Sequence, residues 1–397
     1  MNQNVNKLYH IAQKKSRNII GLMSGTSLDG LDVALCNITG YGNNTSVKVE
    51  KFITWPYVQA YRNKVLEIIS KKNVNLENVC LLHEITGLLH AEIINKCLKK
   101  WKIDALQIDL IASHGQTIYH APRHLHTHKN LPNATLQIGD ADHIAVKTGI
   151  ITIGDFRQKH VAAGGEGAPL AAYGDLLLFK ETGRDVFLLN IGGIANFTYL
   201  PVKGYVFSTD TGPGNTLMDA WTQKNFTGFT YDENAIIAKK GTVQQALLQE
   251  LKSHPFFSLA FPKTTGLELF NMPFLQNAIS RTGNNKIPIN DVMATLNRFT
   301  AETIVHSLQK FINLKRNPII YISGGGMHNP MLMEFIEKEI SPVQIVSTIQ
   351  KGIEPDAKEA VLFAVLANET VAGQPDVFAK HLKGMPAVTM GKISFPG

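Results

Sequence analysis

The chain has 397 residues, of which 44% are hydrophobic, and a formal net charge of +7. This length can bury a large core, and we expect two domains. The basic residues are scattered along the chain, whereas a nucleic-acid-binding protein concentrates them on one face. No apolar run approaches the roughly 18 residues that span a bilayer. We therefore expect neither a nucleic acid nor a membrane as a partner.

The cysteines and the N-terminus indicate the compartment. Cys36, Cys80 and Cys97 cannot all pair, and none lies in a C-x-x-C spacing, which is typical of a reducing environment. Residues 1–17 are polar and lack the apolar core of a secretory signal. We interpret 1–17 as a flexible extension and expect a cytoplasmic protein.

The first candidate site is a turn between two apolar runs. Residues 21–30, GLMSGTSLDG, predict a β-hairpin with a Gly/Ser/Thr-rich tip. Small residues let backbone N–H groups approach a phosphate, and a carboxylate suits a hydrated magnesium ion. An ordinary polar hairpin is the alternative that the turn alone leaves open. The candidate phosphate contacts are Ser24, Gly25, Thr26, Ser27, Asp29 and Gly30.

A strand, two helices and a further strand follow in the first half. Residues 46–53 predict a third strand, and 60–71 and 76–101 predict helices; the second carries an apolar stripe of period 3.6 that we assign to the core. The strand 108–113 then leads into the sequence HGQT. Open α/β sheets place ligands just beyond the carboxyl ends of their strands. The residues that could bind a polar small molecule there are His114, Gln116 and Thr117, with a structural His–Gly turn as the alternative.

Two further segments of the first half contain candidate ligands. The histidines in 124–128 alternate, but Pro122 and Pro132 flank them, so we favour a solvated loop over a metal site. Residues 150–157 predict a strand that ends at Arg157, whose guanidinium could bind a carboxylate or phosphate with two hydrogen bonds.

The second half repeats the outline of the first. Strands are predicted over 185–191, 194–199 and 205–209, with Gly192 and Gly193 in the first turn, and a later strand ends in the glycines 324–326. Three strands with a Gly-rich hairpin, followed by alternating helices and strands, therefore occur twice. This duplication predicts two α/β domains that face each other across a cleft.

Asp210 lies where a predicted strand of the second half meets the turn DTGPGN, residues 210–215. A partly desolvated carboxylate at that place suits a general base. An Asx-turn or a helix N-cap is the alternative for this aspartate.

The phosphate-binding motifs narrow the choice of superfamily. The chain contains neither G-x-x-x-x-G-K-[ST] nor G-x-G-x-x-G, which excludes a P-loop enzyme and removes the usual dinucleotide fingerprint. Two Gly-rich hairpins and a late Gly-Gly-Gly turn remain. This arrangement resembles that of the acetate and sugar kinase, heat-shock chaperone and actin superfamily.

Within that superfamily the chain resembles the anhydro-N-acetylmuramic acid kinases. Matching segments occur in family order from about Ile19 nearly to the C-terminus: GLMSGTSLDG (21–30), SHGQT (113–117), TLQIGD (135–140), DFR (155–157), VAAGGEGAPL (161–170), LNIGGIAN (189–196), DTGPGN (210–215) with Leu217, Met218 and Asp219, PKTTG (262–266) and GGGMHNP (324–330).

The resemblance implies an α/β fold of two duplicated actin-like (ribonuclease H-like) domains that face a central cleft. We expect the first domain over 18–160 and the second over 161–397, with the C-terminal tail free to return to the first. The implied activity uses ATP and magnesium in cell-wall recycling. It opens 1,6-anhydro-N-acetylmuramic acid with water and phosphorylates the 6-oxygen of this small-molecule sugar.

Residue roles are carried over from the family by motif. Asp210 would be the catalytic base, and Asp29 would orient magnesium through water. The second-half contacts to ATP would be Gly192, Gly193, Gly324, Gly325, Gly326 and Asn329. The sugar contacts would be His114, Gln116, Thr117, Arg157 and Glu359.

Some positions depart from the family pattern. His160 and Glu166 stand where an acid and a glutamine are more common, and Leu267 stands where an arginine is common. An ordinary sugar or acetate kinase, and a non-enzymatic nucleotide-dependent sensor or assembly protein, are the alternative functions. A homodimer is left open.

Overall fold

The computed structural model describes residues 2–397 except 26, 124, 125, 127, 129, 285 and 383. It has two compact units, one formed by 1–178 together with 351–397 and the other by 179–350. We expected the boundary after residue 160. The structure differs, because the chain leaves the first unit only after Leu178 and returns to it at Lys351.

The elements of the first pass through the first unit, in chain order, are α1 (Gln3–Gln13), β1 (Ser16–Ser24), β2 (Gly30–Thr39), β3 (Ser46–Pro56), α2 (Gln59–Leu66), α3 (Leu76–Trp101), β4 (Leu110–Ala121), β5 (Ala134–Ile138), α4 (Ala141–Thr148), β6 (Thr152–Gly154), α5 (Phe156–Ala162) and α6 (Ala171–Phe179). The second unit contains β7 (Val186–Ile191), β8 (Ile194–Leu200), β9 (Phe207–Pro213), α7 (Thr216–Asn225), α8 (Gln245–Lys252), α9 (Met272–Arg281), α10 (Ile289–Gln309), β10 (Ile319–Ser323), α11 (Pro330–Ile340) and β11 (Gln344–Ser347). The chain ends in the first unit with α12 (Lys358–Ala372), α13 (Asp376–Ala379) and β12 (Lys392–Ser394).

Both sheets are built on the same plan. In the first unit, β1, β2 and β3 form an antiparallel meander, β4 pairs parallel with β1, and β6 pairs parallel with β4. In the second unit, β7, β8 and β9 form the meander, β10 pairs parallel with β7, and β11 pairs parallel with β10. The predicted α/β fold with a duplicated arrangement of strands is confirmed.

Helix α12 explains why the C-terminal segment belongs to the first unit. Its buried face packs on β1, β2 and β4. A close approach to β1 is possible because residue 21 is glycine: a Cβ there would lie 1.9 Å from the carbonyl oxygen of Ala360. Any side chain at Gly21 would push the helix off the sheet.

The N-terminal residues form a helix rather than the flexible extension that we expected. The side chain of Asn2 caps α1 by accepting from the backbone N–H of Asn4 at 2.8 Å. Beyond the helix, Arg17 is 1% exposed and donates to the carbonyl of Lys14, to that of Gly40 and to the side chain of Asn368. These bonds fix the first residues to the rest of the unit.

All three cysteines are free; Cys36 and Cys97 are buried and Cys80 is exposed. Within the described ranges, no helix has both the length and the apolar character that a membrane crossing requires.

Candidate functional site

The β1–β2 turn is supported from behind by a chain of buried polar side chains. Ser24 Oγ donates to Gln116 Oε1 at 2.5 Å, and Tyr57 OH donates to Ser24 Oγ at 2.8 Å. Tyr57 OH also lies 2.9 Å from His90 Nε2. Because the tyrosine proton goes to Ser24, His90 must donate through Nε2, which leaves its Nδ1 unprotonated. Burial lowers the pKa of His90 to about 4, which agrees with a neutral ring.

Two predicted ligand contacts are therefore part of this support. Ser24 is 1% exposed and Gln116 is 0% exposed. The amide nitrogen of Gln116 donates to the carbonyls of Gly25 and Thr117 at 3.3 and 3.2 Å. Their polar groups are bonded to each other and to backbone carbonyls, and they are not open to a ligand in this structure.

The outer part of the turn is accessible. Ser27 is exposed, and the side chain of Asp29 is 75% exposed with Arg62 Nη2 at 3.8 Å from its carboxylate. Gly30 lies against β3, since a Cβ there would come within 2.4 Å of the carbonyl oxygen of Trp55. Thr26 lies outside the described residues.

Carboxylates from two elements surround the base of this turn. Burial raises the pKa of Asp32 on β2, and the charges of Asp356 and Asp29 raise it further, against a hydrogen bond from Thr54. Glu359 is exposed at the start of α12, yet desolvation of its carboxyl and the charge of Asp32 raise its pKa. The acidic groups are thus close enough to interact and can attract a cation.

Arg157 and His114 are bonded to each other. Arg157 Nε donates to His114 Nε2 at 3.0 Å, and Arg157 Nη1 donates to the carbonyl of Gly167 at 2.6 Å. Burial and the nearby guanidinium lower the pKa of His114 to about 3, so the ring is neutral and can accept. Burial also lowers the pKa of Arg157, while Glu359 opposes that shift. Arg157 and His114, both predicted to contact the sugar, are therefore joined by a direct hydrogen bond.

The secondary structure around these two residues differs from our expectation. His114, Gln116 and Thr117 lie inside β4, which runs on to Ala121, and not beyond the end of a strand. Gly115 adopts φ +73° where β4 shifts register against β1, and this irregularity lets the strand continue. Arg157 lies in the first turn of α5 and not at the end of a strand.

A polar cavity of about 540 Å³ opens beside His114. Gln137 lines it and connects it to Thr117, whose Oγ1 accepts from Gln137 Nε2 at 3.1 Å. Gln137 Oε1 and His114 Nδ1 are buried and have no hydrogen-bond partner in the described part of the chain. Unsatisfied donors and acceptors around a cavity suit a ligand with hydroxyl or amide groups.

His160, one of the departures from the family pattern, has a structural role. It is 2% exposed and its Nδ1 accepts from the backbone N–H of Gly167 at 2.9 Å. Gly167 also accepts from Arg157. His160 therefore holds the loop that orients Arg157.

In the second unit, Asp210 lies within β9 and is fixed by the segment 262–266. Its backbone N–H donates to the carbonyl of Lys263 at 2.9 Å, and its Oδ2 accepts from the N–H of Thr265 at 2.7 Å. Burial raises the pKa of Asp210, the Thr265 hydrogen bond lowers it, and the charge of Glu268 raises it. A half-buried carboxylate with a raised pKa suits a general base.

The β7–β8 turn is bonded to the loop after β9. The N–H groups of Gly214 and Asn215 donate to the carbonyls of Gly193 and Gly192, each at 2.8 Å. A Cβ on Gly214 would lie 2.2 Å from the Gly192 carbonyl oxygen. The two Gly-rich segments of the second unit therefore form one surface.

Two of the glycines 324–326 pack closely on the end of β7. Gly324 adopts φ +87°, and a Cβ there would lie 2.6 Å from the carbonyl oxygen of Ile191, while a Cβ on Gly326 would lie 2.2 Å from the Ile191 side chain. Gly325 has no such contact. Asn329 caps α11 through its side-chain oxygen, which accepts from the N–H of Leu332 at 3.0 Å.

A second cavity, of about 530 Å³, adjoins these glycines. Gly325, Asn329 and Asn215 line it together with Asp219 from α7. Burial raises the pKa of Asp219 to about 6. Asp232 and Glu233 also line this cavity. A cavity with several polar side chains and carboxylates can accept an adenosine whose ribose hydroxyls donate to a carboxylate such as that of Asp219.

The segment of alternating histidines is described only at His126 and His128; the remaining residues of 124–128 lie outside the described part. Among the described side chains, no group of three or more His, Cys, Asp or Glu could hold a metal ion.

The structure adds residues that we did not single out. Thr265 and Asp219 both belong to segments that match the family, although we predicted no role for either of them. Asp32 could have been found because it follows Asp29 in the hairpin. His90 and Tyr57 could not, since His90 lies in the apolar stripe that we assign to the core and Tyr57 lies between the predicted strand 46–53 and the predicted helix 60–71.

Comparison with known proteins gives matches across the whole chain. A family model described as anhydro-N-acetylmuramic acid kinase matches residues 17–396. A protein of that name from Pseudoalteromonas atlantica is 51% identical over 400 residues and covers 100% of both chains. One from Caldanaerobacter subterraneus is 38% identical, with 98% of this chain and 100% of the relative covered. A solved activator of 2-hydroxyisocaproyl-CoA dehydratase from Clostridium difficile with bound ADPNP is similar at 12% identity and a TM-score of 0.39, over 89% of this chain and 95% of that one.

Proposed function

The chain belongs to the anhydro-N-acetylmuramic acid kinase family, and we propose that it opens 1,6-anhydro-N-acetylmuramic acid with water and phosphorylates the freed 6-oxygen from ATP. The products are N-acetylmuramic acid 6-phosphate and ADP. The observation that carries this proposal is the match over residues 17–396. It includes every motif from which we inferred the family.

Asp210 is the proposed base. Its carboxylate takes a proton from the water that attacks the anomeric carbon, and the bond from that carbon to the 6-oxygen breaks. The 6-oxygen then attacks the γ-phosphate, and ADP leaves. The hydrogen bond between Thr265 N–H and Oδ2 supports this role, because it fixes one oxygen and leaves Oδ1 for the water. A positioned base of this kind contributes about 10²–10⁴-fold to a rate.

The glycine-rich turns are the proposed contacts to ATP. The proposed phosphate contacts are Ser27, Asp29 and the backbone of Gly25 and Gly30, together with Gly192, Gly193 and the glycines 324–326. The adenosine occupies the cavity lined by Gly325, Asn329 and Asp219. Thr26 keeps its proposed role by motif alone.

Magnesium is the proposed cofactor, held by Asp29 through water. The exposed carboxylate of Asp29, which lies 3.8 Å from Arg62 Nη2, fits a hydrated ion that is bound by one or two carboxylates. When bound, the ion neutralises the charge of the phosphates.

The sugar is the proposed ligand of Arg157, His114, Thr117 and Glu359. Arg157 binds its lactyl carboxylate, and the bonds to His114 and Gly167 hold the guanidinium in place for that contact. Gln116 has an indirect role in this proposal: it accepts a hydrogen bond from Ser24 and so stabilises the β1–β2 turn. Cell-wall recycling in the cytoplasm is the proposed setting, in keeping with three free cysteines.

The family does not favour the two alternatives, an ordinary sugar or acetate kinase and a non-enzymatic sensor. The test is a coupled ADP-release assay with anhydro-N-acetylmuramic acid, ATP and magnesium. We expect turnover by the natural protein. We also expect Asp210→Asn to retain ATP binding and lose at least about 10²-fold in kcat. Full activity of Asp210→Asn would remove Asp210 as the base, and failure of the natural protein to release ADP would remove the function itself.

A further inference from the structure

The segment 262–266 supplies both contacts that fix Asp210, but it belongs to no helix or strand. Besides the two bonds to Asp210, it is bonded to β9 through Thr209, whose Oγ1 accepts from the N–H of Lys263 at 2.9 Å and donates to its carbonyl at 3.1 Å. All of these bonds join 262–266 to the same strand, β9. A segment held by one strand alone can shift unless one of its side chains is also bonded to another part of the fold.

The side chain of Lys263 bonds the segment to residues 256 and 257, outside β9. The residue is 6% exposed. Its Nζ donates to the carbonyls of Phe256 and Phe257 at 3.1 and 3.4 Å. It also lies 4.5 Å from the ring centre of Phe256 and 4.7 Å from that of Phe261. Carbonyl oxygens and aromatic faces are both attractive to an ammonium.

The partners of Lys263 are themselves part of the core. Phe256 is 3% exposed and packs against Phe270, with 5.5 Å between ring centres. Phe257 packs against Phe299 on α10, also at 5.5 Å. The lysine therefore connects the segment that holds Asp210 to a rigid part of the second unit.

A buried ammonium is costly, and this one has no carboxylate partner among the described residues. Burial lowers its pKa. An apolar side chain would fill the same place without that cost. The lysine is thus poorly explained by packing alone and well explained by the two carbonyls that it orders.

We propose that Lys263 is a positioning residue for Asp210: its side chain fixes the segment 262–266, so that Thr265 N–H stays on the carboxylate of Asp210. This inference rests on the proposed role of Asp210 as the base. Loss of the Lys263 bonds would let the segment move and weaken the Thr265 hydrogen bond, which favours the ionised form of Asp210.

The test is the pH dependence of kcat in Lys263→Met, which keeps the length of the side chain and removes its donors. Because the base must be ionised, a raised pKa of Asp210 moves the acid limb of the profile to higher pH. We expect a shift of about half to one pH unit, a fall in kcat of about tenfold, and little change in the KM for ATP. Thr209→Val, which removes both bonds between Thr209 Oγ1 and the backbone of Lys263, should shift the limb in the same direction.

Two controls address the other charged groups at this place. Lys252 and Lys263 both line a cavity of about 510 Å³, and Lys252→Met removes a lysine there that pairs with Glu302 at 2.6 Å. His306→Gln removes a histidine whose pKa is lowered by burial and by the charges of Lys310, Lys263 and Lys252. Glu268, whose charge raises the pKa of Asp210, is unchanged in every variant. Neither control should move the acid limb.

A double-mutant cycle separates this proposal from the proposed function. If Lys263 acts through Asp210, Lys263→Met should have no further effect on the residual rate of Asp210→Asn. An equal loss in both backgrounds, or an unmoved acid limb in both Lys263→Met and Thr209→Val, would overturn the positioning role. If Asp210→Asn is fully active, the base assignment fails instead.

Discussion

Arg157 Nε donates to His114 Nε2 at 3.0 Å, so one neutral, buried histidine accepts from the cation proposed to bind the sugar carboxylate. The pKa of His114 is lowered to about 3. The ring therefore remains an acceptor at any pH at which the enzyme is assayed. The pair fixes the guanidinium before a ligand arrives, which reduces the entropy lost on binding.

Arg157→Lys should weaken sugar binding specifically. Lysine keeps the charge but cannot bond to His114, Gly167 and a carboxylate at once. We expect the KM for the anhydro sugar to rise about 10- to 100-fold, with the KM for ATP nearly unchanged. Arg281→Lys, at a surface ion pair with Glu250, is the matched control and should leave both constants unchanged. A rise in the KM for ATP alone would contradict the assignment.

The buried histidines should make the first unit acid-sensitive. Burial lowers the pKa of His90 to about 4, against about 6.5 in the unfolded chain. Between these values the unfolded state binds the additional proton, so the stability present above pH 6.5 is lost as pH falls toward 4. We expect His90→Gln to flatten this decline by about 1.4 kcal/mol per pH unit.

Urea unfolding at pH 7, 6 and 5 measures this slope. His10→Gln, which removes an exposed histidine on α1, should keep the slope of the natural protein. An identical slope in His90→Gln would mean that His90 takes up its proton at the same pH in the folded and unfolded states.

Asp219 should make ATP binding depend on pH. Burial raises its pKa to about 6, so the carboxylate becomes protonated as pH falls below that value. A protonated carboxyl accepts hydrogen bonds from ribose hydroxyls less well. We expect the KM for ATP to rise below pH 6 in the natural protein. In Asp219→Asn it should be about tenfold higher and independent of pH over that range. Equal pH profiles in the two proteins would exclude Asp219 from the nucleotide site.

Adjacent glycines of the second unit should differ in what they tolerate. Gly324→Ala places a Cβ 2.6 Å from a carbonyl oxygen at φ +87°, whereas Gly325→Ala meets its nearest atom at 3.7 Å. We expect Gly324→Ala to cost about 2–3 kcal/mol of stability. Gly325→Ala should cost less than about 1 kcal/mol. Thermal unfolding compares them, and equal melting temperatures would show that the segment is not held against β7.

The fold could be predicted further than the site. The meanders and their glycine turns follow from local patterns, and both are present as expected. The support behind the first turn could not be predicted, because His90, Tyr57 and Ser24 are far apart in sequence and His90 lies in an apolar stripe. The place of α12 depends on contact between Gly21 and Ala360, which no local pattern records.

Asp210 shows the same difference between motif and geometry. Its candidacy followed from a carboxylate beside a Gly-Pro-Gly turn. The hydrogen bond that tunes it comes from Thr265, 55 positions later in the chain. The motif DTGPGN therefore indicates the base, whereas the hydrogen bond that lowers its pKa comes from the separate segment PKTTG.

The most direct measurement of the central claim is mass spectrometry of the product formed in water enriched in oxygen-18. If water opens the anhydro bridge while ATP supplies the phosphate, the product gains one heavy oxygen, on the anomeric carbon, and none in the phosphate. Since that oxygen exchanges slowly with solvent, the product is analysed at once beside a sample of unlabelled product held in the same water. A phosphorylated sugar without heavy oxygen beyond this exchange control would contradict bridge hydrolysis and indicate a kinase that acts on a free hydroxyl.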